Sequence, residues 1–360
     1  MKYLLLHLIL ITSVWSGFCQ EPDDSLDFIP DYNTISDNVT EDIRIFTSDE
    51  PLIWILEFDM MKFMREKDDE TYQEATLVYR LNDTVNIRKT IELKARGFFR
   101  KEYCSLPPIK IRFEKSGDPL GDLDKMKTLK LVTYCIYNKR YQQYVLKEYL
   151  AYKLYNLLTE QSFRVRLVKI NYIDTGRRKP KEFSGYGFII EDVDLMAERN
   201  NAMELKFMDY TIGQHLLDQD AMTRVALFQY MIGNPDWSVP NSHNMKYIRF
   251  KELSKTAPIP VPYDFDYSGL VNASYAIPFE DMGIGSVTER LYLGICHTVE
   301  EFREACRGFL DKKEGIYRTI REFEYLDEGI RKNLIRYIDG FFTVIESDKL
   351  LRGEILEKCR

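Results

Sequence analysis

Histidine and close cysteine pairs are what this sequence most conspicuously lacks. Only four of its 360 residues are histidine, and His215, His243 and His297, the three beyond residue 19, are too scattered to propose a histidine metal site. Its six cysteines form no C-x-x-C pair, which excludes a cysteine zinc site and a disulfide-rich scaffold. The five after residue 19 (Cys104, Cys135, Cys296, Cys306 and Cys359) allow at most two disulfides, with the pairing left open, and a Cys/His nucleophilic pair has no support. Basic charge is also short. With 50 lysines and arginines against 57 acids the formal charge is −7, so no nucleic-acid or anionic-membrane partner is expected. The local group Arg164, Arg166, Arg177, Arg178 and Lys179 reads as a solvated strand edge and turn. Beyond residue 19 no apolar run approaches the roughly 18 residues a membrane span needs, and no internal repeat or long low-complexity segment occurs.

What is present is enough apolar material, 45% of residues with 13% aromatic, to bury a large core. Residues 1–19 carry Lys2, an apolar run from Tyr3 to Val14 and the small residues Ser16 and Gly17, the pattern of a secretory signal peptide. Phe18 stands where a lipoprotein signal wants a small residue before Cys19, so plain cleavage near Cys19 and Gln20 is expected rather than lipid anchoring, and the mature chain is expected to be secreted or periplasmic. Residues 20–46 read as an acidic mobile leader.

Period-two alternation predicts strands at 53–58, 74–79, 90–95 and 109–113, with links carrying Asn82-Asp83 and Pro107-Pro108, and further strands at 129–134, 165–173 and 187–191. Helical spacing predicts helices over 142–159, 221–232, 300–310, 314–323 and 328–345. The expected organisation is α+β, with a β-rich part at 47–192 that includes one long helix and a helical part at 193–360 that carries the chemical residues.

Those residues lie in Gly233-Asn234-Pro235-Asp236-Trp237-Ser238-Val239-Pro240-Asn241-Ser242-His243-Asn244 and in Tyr263-Asp264-Phe265-Asp266. Asp236 and Asn241 form a D-x-x-x-x-N arrangement and Asp264 opens a D-F-D triplet, an order similar to the catalytic loop and metal-binding triplet of protein kinases. Read as a strand, residues 263–267 put Asp264 and Asp266 on one face. Two ionised carboxylates side by side in an apolar setting call for a cation, and Mg²⁺ or Mn²⁺ would supply it while leaving positions for phosphate oxygens. Asp236 would orient an acceptor hydroxyl and take its proton, with Asn241 or Asn244 completing the metal shell. Asn234 and Ser242 read as turn-capping residues. Lys110, with Arg112 as its rival on the same strand face, is the candidate phosphate anchor, and Glu148 on the long helix is its expected partner.

The order of these pieces resembles the CotH-like family of atypical secretory protein kinases, related to the spore-coat protein CotH. The resemblance runs from about Lys94 to Ser268, through Lys94-Ala95-Arg96-Gly97, the Lys110 strand, the Glu148 helix, Gly185-Tyr186-Gly187-Phe188-Ile189-Ile190-Glu191 and the two motifs above. It implies a bilobed protein-kinase-like fold that uses ATP and Mg²⁺ or Mn²⁺ to phosphorylate protein substrates in the cell envelope or outside the cell. On that basis Asp236 and Asn241 are the catalytic pair, Asp264, Asp266 and Asn241 the metal ligands, and Arg96, Lys110 and Glu148 the nucleotide-binding set. Where the family commonly continues with a polar turn after Arg96-Gly97, this chain has Phe98-Phe99-Arg100. Two other classes compete: a non-catalytic envelope protein that binds a partner or glycan, and a metal-dependent hydrolase, which lacks histidine and further carboxylate ligands.

Overall fold

In the computed structural model, described for residues 44–80, 86–113, 123, 126–207, 211–252 and 254–359, alternation in the first half does set the strands. The signal-peptide and leader segments, Cys19 and the Asn82-Asp83 link lie outside the described residues. β1 (Leu52–Phe58) alternates buried and more exposed side chains, and β2 (Gln73–Arg80), β3 (Asn86–Ala95), β4 (Ile109–Phe113) and β5 (Thr128–Val132) follow it as antiparallel neighbours. β6 (Val165–Asp174) and β7 (Lys181–Ile190) form the longest hairpin, and β7 pairs with β5.

The sheet then closes. β6 runs parallel to β1 in register from Leu52 opposite Val168 to Phe58 opposite Asp174, giving a closed seven-stranded barrel in the order β1-β2-β3-β4-β5-β7-β6. The expected bilobed protein-kinase-like fold is therefore not what this chain forms: it is a closed barrel, a small three-stranded sheet, and helices placed mostly toward the C-terminus. Closure removes both edges of the sheet, which an open strand array would have to protect in another way. Trp54, Leu56, Ile91, Leu93, Ile109, Ile111, Leu131 and Ile170, aligned by register, fill its interior with essentially no exposure. Gly185 is required on β7 because a Cβ there would meet the Tyr134 ring at 2.3 Å.

The outer face of the barrel carries the long helix α3 (Lys139–Asn156), whose Tyr149 and Tyr152 rings pack on Phe188 of β7 at 5.9 and 5.6 Å. Two short helices, α1 (Met60–Arg65) and α2 (Phe99–Tyr103), interrupt the strand succession. Beyond the barrel come α4 (Val193–Arg199), β8 (Ala202–Leu205), the central helix α5 (Gln219–Ile232), β9 (Met245–Phe250) and β10 (Ile259–Pro262), with the sheet ordered β10-β9-β8. α5 is buried along most of its length and ends at Gly233, whose left-handed backbone (φ 62°) caps it. The expected pair at 300–310 and 314–323 is one continuous helix, α6 (Val299–Glu322), started by a capping box in which Thr298 and Glu301 satisfy each other's backbone N–H groups. α7 (Glu328–Ile345) and α8 (Asp348–Leu351) follow. Residues from 44 onward belong to one compact unit.

Two disulfides, the maximum the sequence allowed, join Cys104 to Cys135 and Cys296 to Cys359, while Cys306 is free and buried. They are compatible with an extracellular or periplasmic setting. Among the described residues no helix is long and apolar enough to cross a membrane. The basic group around Arg164 is structural: Arg164 and Arg199 grip the buried Glu191, and Arg166 donates to the backbone carbonyls of Glu50 and Ile45.

Candidate functional site

A cleft of about 560 Å³ opens on the outer face of the barrel, within the size range of small-molecule sites. Its walls come from separate parts of the chain: Arg96 to Arg100 after β3, Lys130 and Val132 on β5, Glu148 and Tyr152 on α3, the loop after α5, and the turn after β10. Of the residues singled out by sequence, Arg96, Glu148, Asp236, Asp264 and Asp266 all line it.

Asp236 is fixed from three directions. Its backbone N–H donates to Asn234 Oδ1 (3.1 Å), its Oδ1 lies 2.8 Å from His243 Nε2, and its Oδ2 accepts from Asn244 Nδ2 (3.0 Å). Asn234 thus acts as a local turn former, as its residue type suggests. Asn244 also donates to the Asp236 carbonyl at 2.8 Å, so its amide is committed to holding this loop. Asn241 is exposed and does not line the cleft. The hydrogen bond to Asp236 raises the His243 imidazole above its usual pKa, against the opposing effect of burial.

The D-F-D triplet is a turn rather than the expected strand, because β10 ends at Pro262 and Asp264 adopts a left-handed backbone (φ 63°). Such a conformation is uncommon outside glycine, and here Tyr152 Oη accepts the Asp264 N–H at 2.8 Å. Phe265 anchors the turn in the core between Tyr152 (4.6 Å) and Phe228 (5.4 Å). The result separates the two aspartates by role. Asp264 reaches the cleft with no hydrogen-bond partner for its carboxylate among the described residues, whereas Asp266 is buried against Arg100.

Arg100, on α2, is the cation at the centre. It contacts Asp266 at 2.6 Å and Glu148 at 2.9 Å, so Glu148 pairs with Arg100 instead of Lys110. Burial works against the Arg100 charge, and the two carboxylates more than offset it. With one arginine between them, the two buried carboxylates cannot both be ionised without an excess of negative charge. Burial accordingly pushes Glu148 well above the usual carboxylate range; Arg100 pulls it back, while Asp266 and Asp264 add repulsion. Burial likewise raises Asp266. Among the described residues Glu148 Oε1 has no hydrogen-bond partner, and it is buried. The Cys104–Cys135 disulfide ties the end of α2, and with it Arg100, to the segment after β5.

Lys110 is half-buried on β4 but does not line the cleft; its cross-strand neighbour Lys130 does. Burial, with repulsion from Arg96, brings Lys130 down to about 8. Among the described residues neither Lys130 nor Arg96 has an ion-pair partner, so two uncompensated cations face the same space as Asp264. Sequence reasoning missed Arg100, Lys130 and His243. The first follows the bulky pair Phe98-Phe99, the second lies one strand from Lys110, and the third sits inside the Asp236 segment.

The rim is apolar: Phe98 is 91% exposed, and Ile277 and Phe279 are exposed beside it. Among the described residues no group of three or more histidine, cysteine or acidic side chains is placed to hold a metal ion by itself. A Mg²⁺-type ion that takes phosphate oxygens and water for most of its shell needs only one or two carboxylates, and Asp264 is a suitable hard-oxygen donor for it. No model of a known protein family matches the chain, and no curated protein matches it.

Proposed function

We propose that the cleft binds ATP with a divalent cation and transfers the γ-phosphoryl group to a hydroxyl of a protein substrate, in a secreted or periplasmic setting. The observation that carries this reading is the pairing in one cleft of two uncompensated cations, Arg96 and Lys130, with an uncompensated carboxylate, Asp264, and a fixed one, Asp236. Unpaired cations answer phosphate oxygens, and an unpaired carboxylate answers a metal ion. The metal, when bound, would neutralise charge on the phosphates. Arg96 and Lys130 would hold the polyphosphate, Arg100 would keep Glu148 and Asp266 in place, and the Asp236 loop would meet the acceptor hydroxyl. The motifs shared with CotH-like kinases support the same chemistry on a different overall architecture.

The test is transfer of label from γ-labelled ATP to protein with Mg²⁺ or Mn²⁺, beside Asp236→Asn and Asp264→Asn. Incorporation should fall by about 100-fold or more in each variant. The exposed Phe98, Ile277 and Phe279 favour a second reading, a non-catalytic module that binds an apolar partner segment at the rim. Absence of both label transfer and metal-dependent nucleotide binding would select it.

A further inference from the structure

We propose that His243 is the proton acceptor of the cleft and that Asp236 serves as its orienting carboxylate. This rests on the phosphotransfer reading and changes which atom takes the proton. An ionised carboxylate only accepts hydrogen bonds, so the 2.8 Å contact between Asp236 Oδ1 and His243 Nε2 requires the hydrogen on Nε2. In the neutral imidazole, the form that can take a proton, Nδ1 then keeps its lone pair. It has no hydrogen-bond partner among the described residues, and the ring lines the cleft with about half of its side chain, 52%, open to solvent. Both oxygens of Asp236, by contrast, already hold a donor, from His243 and from Asn244.

The backbone around His243 is built to keep it there. Ser238 and His243 form an antiparallel bridge with N–H to carbonyl bonds of 3.0 and 2.9 Å, closing residues 239–242 into a tight loop just after Asp236 and Trp237. Ser242 (φ 51°) and Asn244 (φ 54°) flank the histidine in left-handed conformations that non-glycine residues seldom adopt. Strained positions of this kind cluster where a side chain must be aimed.

The step balances as follows. The acceptor hydroxyl gives its proton to His243 Nδ1 while its oxygen bonds to the γ-phosphorus of ATP. The bond from that phosphorus to the β,γ-bridging oxygen breaks, and ADP leaves with the electron pair. The imidazolium, paired with Asp236, then releases its proton to solvent. Phosphoester, ADP and one proton are the products. Orientation of a histidine base by a buried-edge carboxylate is a general solution in proton-transfer sites.

The full chain, incubated with ATP and Mg²⁺, is assayed for ADP release, which needs no identified acceptor because water or the protein's own hydroxyl groups serve. His243→Ala removes the ring; His243→Gln keeps a donor toward Asp236 but has no basic nitrogen, which guards against simple loss of the loop's structure. The expected result is a fall in kcat of about 100-fold or more in both, with KM for ATP within about threefold, and partial rescue of His243→Ala alone by added imidazole. Combining His243→Ala with Asp236→Asn should cost little more than either change alone. Retention of more than about a third of kcat in both histidine variants, with Asp236→Asn inactive, would overturn the proposal and return the proton to Asp236. No ADP release from the unaltered chain would remove the phosphotransfer reading itself, and this proposal with it.

Discussion

Glu191 and Glu148 are both buried carboxylates held by arginine, yet their surroundings are electrically opposite. Glu191 is met by Arg164 at 2.8 Å, by Arg199 at 3.0 Å and by the Arg164 backbone N–H at 3.0 Å, and Arg199 spends its remaining donors on the carbonyls of Glu160 and Ser162. Every polar atom of that carboxylate is answered, and its arginines reach solvent. Glu148 shares the single Arg100 with Asp266, has no partner for Oε1 among the described residues, and lies close enough to Asp264 to feel its charge. A buried charge with its partners complete is an architectural joint, here the one that locks β7 to α4. A buried group with more acid than base costs stability unless something cationic joins it, and the cleft is where that cation has room.

The contrast can be broken most forcefully at the complete joint. Glu191→Ala should cost about 3–5 kcal/mol in denaturant unfolding, because two arginines lose a fully buried partner. A loss below about 1 kcal/mol would put Glu191 with ordinary surface pairs instead. Next in size is Lys130→Met. Removing a half-desolvated cation should leave stability equal or higher while weakening nucleotide binding by about tenfold, or about 1.4 kcal/mol. Since Lys130 titrates at about 8, the unaltered protein should lose nucleotide affinity as pH rises through that value, and the variant should be flat there. Binding titrations across this range decide it.

Glu148→Gln sharpens the comparison from the other side by restoring one acid to one base. Stability should rise by about 1 kcal/mol at neutral pH. The sign of its pH dependence follows from the raised folded pKa: the folded state holds the Glu148 proton more tightly than the unfolded chain, so its contribution is full below 4.5 and is lost as pH rises. The advantage of the glutamine variant should therefore grow with pH from that point, as thermal melts at successive pH values would show. The smallest effect belongs to Asn241→Ala, an exposed residue outside the cleft, which should change stability by no more than about 0.5 kcal/mol and leave nucleotide binding alone.

The strands were legible because each alternates on its own. Closure of the barrel was not, since the β1 to β6 pairing joins segments more than a hundred residues apart and leaves no local pattern in either. The gap between the expected helices at 300–310 and 314–323 falls on Asp311-Lys312-Lys313, polar residues that a long amphipathic helix can carry without a break. At the site, residue type and order brought Asp236, Asp264, Asp266 and Glu148 forward, and the resemblance to CotH-like kinases added Arg96. Charge pairing was not readable. Which cation reaches Glu148 depends on where α2 places Arg100 relative to α3, and the expectation that Asp264 and Asp266 act alike failed because the left-handed turn at Asp264 breaks the strand alternation on which it rested.

The most direct measurement is equilibrium binding of ATP to the full chain with and without Mg²⁺, repeated on Asp264→Asn. The account predicts that Mg²⁺ tightens binding by about tenfold or more and that the variant loses this gain while keeping the weaker, metal-independent binding through Arg96 and Lys130. Equal affinity with and without Mg²⁺, or a gain unaffected by the substitution, would contradict it.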